Sequence, residues 1–200
     1  RRQDEEVARV KLFVDRFLIE RMDNASLRLH EPVSGGVAIT IDKPWEGPVN
    51  FGHAVIRLDG RYVMYYRAMK VDEDVSMLCV ATSDDGVTWT KPALGLVERS
   101  GRRDTNIIAD ESGQPLMADI WLDARPGVGA DQRVKGLVST PLSGDKHTSF
   151  RDPPGPKRMV VWASADGFSF RKLAPQPEVV SSLVNSFDGG NNRAFGQLQQ

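Results

Sequence analysis

The side chains best suited to chemistry are acids in loops rich in glycine and proline. Glu46 stands in KPWEGPV, Asp123 in WLDARPG and Asp188 in SFDGGNN. A carboxylate presented by a turn can give or take a proton, or attack as a nucleophile. A turn aspartate can equally do no more than hold backbone N–H groups. Side chains with a binding character lie nearby. Trp45 has an apolar face and an N–H donor, which suit stacking as well as core packing. His53 falls inside NFGHAVIRL, Arg67 ends VMYYR, Asp152 lies in RDPPGPK and Asn191 follows Asp188. Asp72, Glu73 and Asp74 read as a solvated acidic tip.

Other chemistries lack their residues. The three histidines do not stand at metal-ligand spacing, and one cysteine gives neither an intrachain disulfide nor a cysteine zinc cluster. No glycine-rich dinucleotide loop, phosphate loop or nucleophile elbow stands in the chain. No cofactor and no metal are therefore expected. The 26 Lys and Arg against 27 Asp and Glu leave a net charge of −1, which gives no footprint for nucleic acid or an anionic membrane. No apolar run reaches the ~18 residues of a membrane span. Cys79 sits in an apolar run and reads as a small buried hydrophobe.

Positioning those side chains falls to short β-rich runs separated by turn signals, the pattern of an antiparallel all-β fold. HAVIRL, the hairpin turn Asp59-Gly60, RYVMYYRA, the loop KVDEDV, SMLCVAT and SDDGVTW follow one another. They make a four-stranded meander of propeller-blade size. The texture returns in RVKGLVS, KRMVVWAS, SADGFSF and RKL. Ser83 to Trp89 aligns with Ser164 to Phe170, matching Ser, Asp, Gly, a hydroxyl and an aromatic. Thr82-x-Asp84-x-Gly86-x-Thr88-Trp89 fits the Asp-box pattern, a turn staple rather than a ligand site. The organisation expected is an N-terminal segment at 1–37, a first blade at 38–100 and a second blade with long loops at 101–175. A third blade would begin at 176–200.

LFVDRFLIE, LRLHEP, DKPWEGPV, DGRYVMYYR, ATSDDGVTWTKPALGL and TNII occur in that order. The series resembles bacterial proteins described as similar to family 32 glycoside hydrolases, from Leu12 to about Phe195. The resemblance implies the five-bladed β-propeller shared by families 32 and 43, and a carbohydrate as substrate or ligand. Five blades need more than 200 residues, so the chain is expected to be the N-terminal part of such a fold.

The resemblance also implies three acids from the leading strands of successive blades: a nucleophile or base, a transition-state stabiliser and an acid. Carried onto this chain, they fall on Glu46, Asp123 and Asp188. Glu46 departs from the family's aspartate at that place. Arg151-Asp152-Pro153 is similar to the family's Arg-Asp-Pro motif. Trp45, His53, Arg67, Asp152 and Asn191 are the expected substrate-binding residues. The three acids are expected to converge on one funnel, with a pair at about 5–10 Å. Two other readings stand beside this one. One is a noncatalytic carbohydrate-binding propeller. The other is a sialidase-like propeller, for which no clear arginine cluster is found.

Overall fold

The computed structural model describes residues 16–17, 19–73, 75–141, 157–173 and 179–181. The fold is all-β with antiparallel sheets, and the described residues contain no α-helix. The chain divides into two compact units, Arg1–Gly36 and Val37–Gln200. In the first unit no strand occurs among the described residues, and an Arg21–Asp23 ion pair closes a short bend.

The second unit holds two sheets. In the first sheet β1 (Val49–Leu58), β2 (Arg61–Lys70) and β3 (Val75–Ser83) form an antiparallel meander. The turn joining β1 to β2 is Asp59-Gly60, with φ of 51° and 83°. Two successive positive φ values are what a tight right-twisted hairpin demands, and Asp-Gly supplies them cheaply. The second sheet orders β4 (Asp119–Leu122), β5 (Val134–Pro141), β6 (Lys157–Ser164) and β7 (Arg171–Lys172) as a second meander. A further strand, β8 (Val179–Ser181), also pairs with β6.

Both faces of the first sheet are covered, as the nearly unbroken apolar run of β3 requires. On one face Val63, Tyr65, Leu78 and Val80 pack with Ile120, Val134, Val138 and Trp162 of the second sheet. On the other, Tyr66, Ala68, Met77, Cys79 and Ala81 pack with Trp45, Val97, Ile107 and Ala109. Cys79 is fully buried, and desolvation pushes its thiol pKa up, so it is a packing residue. The free edge of β3 is taken by bridges from Thr90 and Ile107.

β3 and β6 each run into the same turn. Ser83 Oγ accepts from Gly86 N at 2.8 Å, and Asp85 Oδ1 accepts from Val87 N and Thr88 N at 2.8 and 2.7 Å. In the second turn Ser164 Oγ accepts from Gly167 N at 2.9 Å, and Asp166 Oδ1 from Phe168 N and Ser169 N at 2.8 and 3.0 Å. Gly86 and Gly167 have φ of 78° and 81°. Three donors on Asp85, two of them backbone, hold its carboxyl well below the usual carboxylate range. The working residues are Ser83 and Asp85, each one place after the Thr82 and Asp84 of the spacing pattern. Asp84 is exposed and pairs instead with Arg61.

Candidate functional site

The leading strands β1 and β4 lie against each other. Two side-chain links give their relative direction. Arg67, opposite Phe51 near the start of β1, reaches Asp119 at the start of β4. Arg133, which stands just before β5 and level with the end of β4, grips Asp59 at the end of β1 with two 2.6 Å bonds. The two strands therefore run the same way, and the two ends of the paired sheets carry different chemistry.

At the end where β1 and β4 begin, Arg67 Nη2 donates to Asp119 Oδ1 at 3.0 Å. Its guanidinium lies 5.3 Å from the centroid of the Phe51 ring. The Arg67 and Asp119 side chains keep 21% and 33% of their surface exposed. A partly solvated pair of this kind contributes only about 0–1 kcal/mol to stability. A bulge between Phe51 and Ala54 breaks the β1–β2 register here, with Gly52 at φ 66°. Such bulges turn side chains out of the regular alternation. His53 lies in the same bulge.

Glu46 and Trp45 precede β1 and fold beneath the first sheet. Glu46 is 0% exposed. Its Oε2 accepts from Asp42 N and Lys43 N at 2.8 and 2.9 Å, and its Oε1 from the Tyr66 hydroxyl at 2.5 Å. Lys91 Nζ lies 2.8 and 2.7 Å from the two oxygens. Burial pushes the Tyr66 phenol far up, which keeps its proton available for that bond. Asn106 Nδ2 donates to the Tyr66 hydroxyl and to Val80 O, both at 2.7 Å, while Trp45 Nε1 donates to Asn106 Oδ1 at 2.9 Å. Each oxygen of the carboxylate is thus met by donors from within the chain. Trp45, 3% exposed, belongs to the core and turns no face to solvent.

Asp123 follows β4, in the hairpin to β5, at the other end of the strands. Arg125 binds it through Nε at 2.8 Å and Nη2 at 2.7 Å, and Lys135 Nζ lies 3.9 Å away. The Arg125 guanidinium lowers its pKa to about 2. Tyr66, which holds Glu46, lies level with the β1 bulge, whereas Asp123 lies level with the Asp59 turn. Glu46 and Asp123 are thus roughly 20 Å of extended strand apart. Paired glycosidase carboxylates stand at about 5–10 Å. Asp152, Asp188 and Asn191 lie outside the described residues.

Arg67 was legible as a strand-end cation, but its partner Asp119 was not singled out. The signal available was strand direction. MADIWLDARPG holds an acid at each end of one strand, and only Asp119 stands where β4 begins. Among the described residues no group of three or more His, Cys, Asp or Glu could hold a metal ion. No described helix is long and apolar enough to cross a membrane.

No family model matches the chain, and no curated protein matches it. Several solved structures show a partial likeness. One is a glycosyl hydrolase from Bacteroides ovatus, 15% identical with a TM-score of 0.27, covering 64% of this chain and 32% of its own. A candidate glycoside hydrolase from Parabacteroides distasonis is 20% identical at a TM-score of 0.25, with coverage of 64% and 32%. A candidate glycosidase from Bacteroides thetaiotaomicron is 20% identical at a TM-score of 0.22, with coverage of 64% and 51%. The chain thus spans 32%, 32% and 51% of these three proteins.

Proposed function

We propose that the intact protein is a glycoside hydrolase-like β-propeller that acts on a carbohydrate through carboxylates at the end where β1 and β4 begin. In this reading residues 38–100 and 101–175 are successive blades, the duplicated Ser-x-Asp-Gly turns are Asp-boxes, and β1 and β4 line the channel. The observation that carries it is the open Arg67–Asp119 pair, which joins a cation of one sheet to an acid of the next at a shared strand end. The sequence resemblance supplies the substrate class. Asp188 is the reacting carboxylate to test first, with Asp152 and Asn191 as substrate contacts. Glu46 and Asp123, each already paired with a cation of its own, are assigned to holding the two ends of the sheets.

The test is release of reducing sugar from a panel of oligosaccharides and aryl glycosides by the intact protein. Asp188→Asn is expected to cost at least about a hundredfold in kcat, as loss of a general acid or base does. Sugar binding without release by the wild type, or unchanged release by the variant, refutes the catalytic assignment. One observation favours a noncatalytic carbohydrate-binding propeller as the second reading. The acid that precedes the first sheet, Glu46, is wholly enclosed, so the leading position of that sheet offers no free carboxylate. Binding without turnover is that reading's expected result.

A further inference from the structure

We propose that Phe51, Arg67 and Asp119 form a subsite for the ring of a neutral sugar with vicinal hydroxyls, distinct from any reacting carboxylate. The proposal rests on the carbohydrate reading above and deepens it. Three features are built around one spot. Phe51, on the edge strand β1, is 43% exposed, and its ring offers an apolar face for the C–H side of a pyranose. Among the described residues Arg67 donates one hydrogen bond, to Asp119 Oδ1, and Asp119 Oδ2 accepts none. A guanidinium carries five N–H donors and a carboxylate four acceptor positions, so both ends of the pair keep capacity directed outward. Neighbouring sugar hydroxyls fit that arrangement, one accepting from Arg67 and the next donating to Asp119.

The bulge builds the spot. Gly52 has φ +66°, and a Cβ there would lie 3.3 Å from both Cδ and Nε of Arg67. The bare glycine lets the guanidinium lie close against the β1 backbone and beside the Phe51 ring. Charge selects the class of ligand. Asp119 offsets the Arg67 charge at 3.0 Å, so a uronate or phosphate would meet a carboxylate in its path. A neutral diol meets none.

The test is saturation-transfer NMR on the full chain with methyl α-mannopyranoside, methyl β-glucopyranoside, methyl β-galactopyranoside and glucuronate as probes. Transfer to the ring protons of at least one methyl glycoside is expected. Phe51→Ala and Asp119→Asn should each weaken that binding about tenfold, the size of one lost ring contact in the first case and one lost charge-assisted hydrogen bond in the second. Val55→Ala, at a site 52% exposed on the same strand, should change nothing. Both substitutions sit at partly open positions, and a circular dichroism spectrum checks each fold. Glycoside binding that survives both substitutions overturns the subsite and leaves the carbohydrate reading standing. No transfer from the wild type to any glycoside overturns both. A preference for glucuronate that Asp119→Asn strengthens overturns the neutral-sugar assignment.

Discussion

Substituting Glu46→Gln separates a reacting carboxylate from a structural one. The side chain keeps its shape and loses its charge. One amide oxygen can still accept from the backbone N–H groups of Asp42 and Lys43. The amide nitrogen then faces the Tyr66 hydroxyl and cannot accept the bond that the carboxylate Oε1 takes from it. Lys91, 12% exposed, keeps Asp42 Oδ1, Thr40 O and the amide oxygen as acceptors but loses the charge of its buried partner. Breaking a buried ion pair from one side costs about 3–5 kcal/mol. The surviving Asp42 contact puts the expected loss at the lower end, about 3 kcal/mol. For a unit of this size that is a fall in Tm of about 6–12 °C. Urea unfolding followed by tryptophan fluorescence and circular dichroism reads it, provided the slope m is shared. Lys91→Met alone should cost a similar amount, since it strands the buried carboxylate. The double substitution should be less damaging than the sum by about 2 kcal/mol. Additive losses, or a Glu46→Gln loss under about 1 kcal/mol, would refute the structural assignment and return Glu46 to the list of reacting groups.

Two further predictions test the ends of the sheets. Gly47→Ala should be far more damaging than Gly60→Ala, although both have positive φ. A Cβ at Gly47 would lie 2.1 Å from the carbonyl oxygen of Met69, whereas nothing lies within 4 Å at Gly60. The left-handed conformation alone costs about 1–2 kcal/mol, so equal urea midpoints for the two variants would sink this account. At the other end, Asp123 has its pKa lowered to about 2 by Arg125, below the ordinary ~3.9 of an unfolded chain. Its contribution is present above pH ~4 and lost as pH falls toward ~2. Asp123→Asn should therefore flatten the acid limb of the stability curve in that window, and an unchanged limb in pH-dependent unfolding would remove Asp123 from the ion-pair scheme.

Much of the local structure was legible because it depends on neighbours in sequence. Asp59-Gly60 fixes a hairpin through two backbone angles, and the strands on either side follow from their β-branched and aromatic residues. The Ser83 and Ser164 turns repeat because a serine, an aspartate and a glycine at fixed offsets satisfy the same backbone N–H groups. A one-residue slip in matching Asp84 rather than Asp85 shows where such a pattern loses resolution. Either aspartate fits a loose spacing, but only Asp85 meets two N–H groups.

The site was less legible because it depends on contacts between distant segments. Trp45 and Glu46 look like residues of an exposed loop, rich as KPWEGPV is in turn formers. They are enclosed because Tyr66, Lys91 and Asn106 arrive from three other segments and satisfy every polar group, which alone makes burying a carboxylate tolerable. Composition and periodicity by themselves determined the all-β class, the hairpin and the repeated turn, since period-two alternation and turn chemistry act within a few residues. The tertiary structure alone decided that Asp119 rather than Asp123 meets Arg67. That choice rests on β1 and β4 lying side by side in one direction, a relation between two strands that never hydrogen-bond as a ladder and leave no periodic trace in the chain.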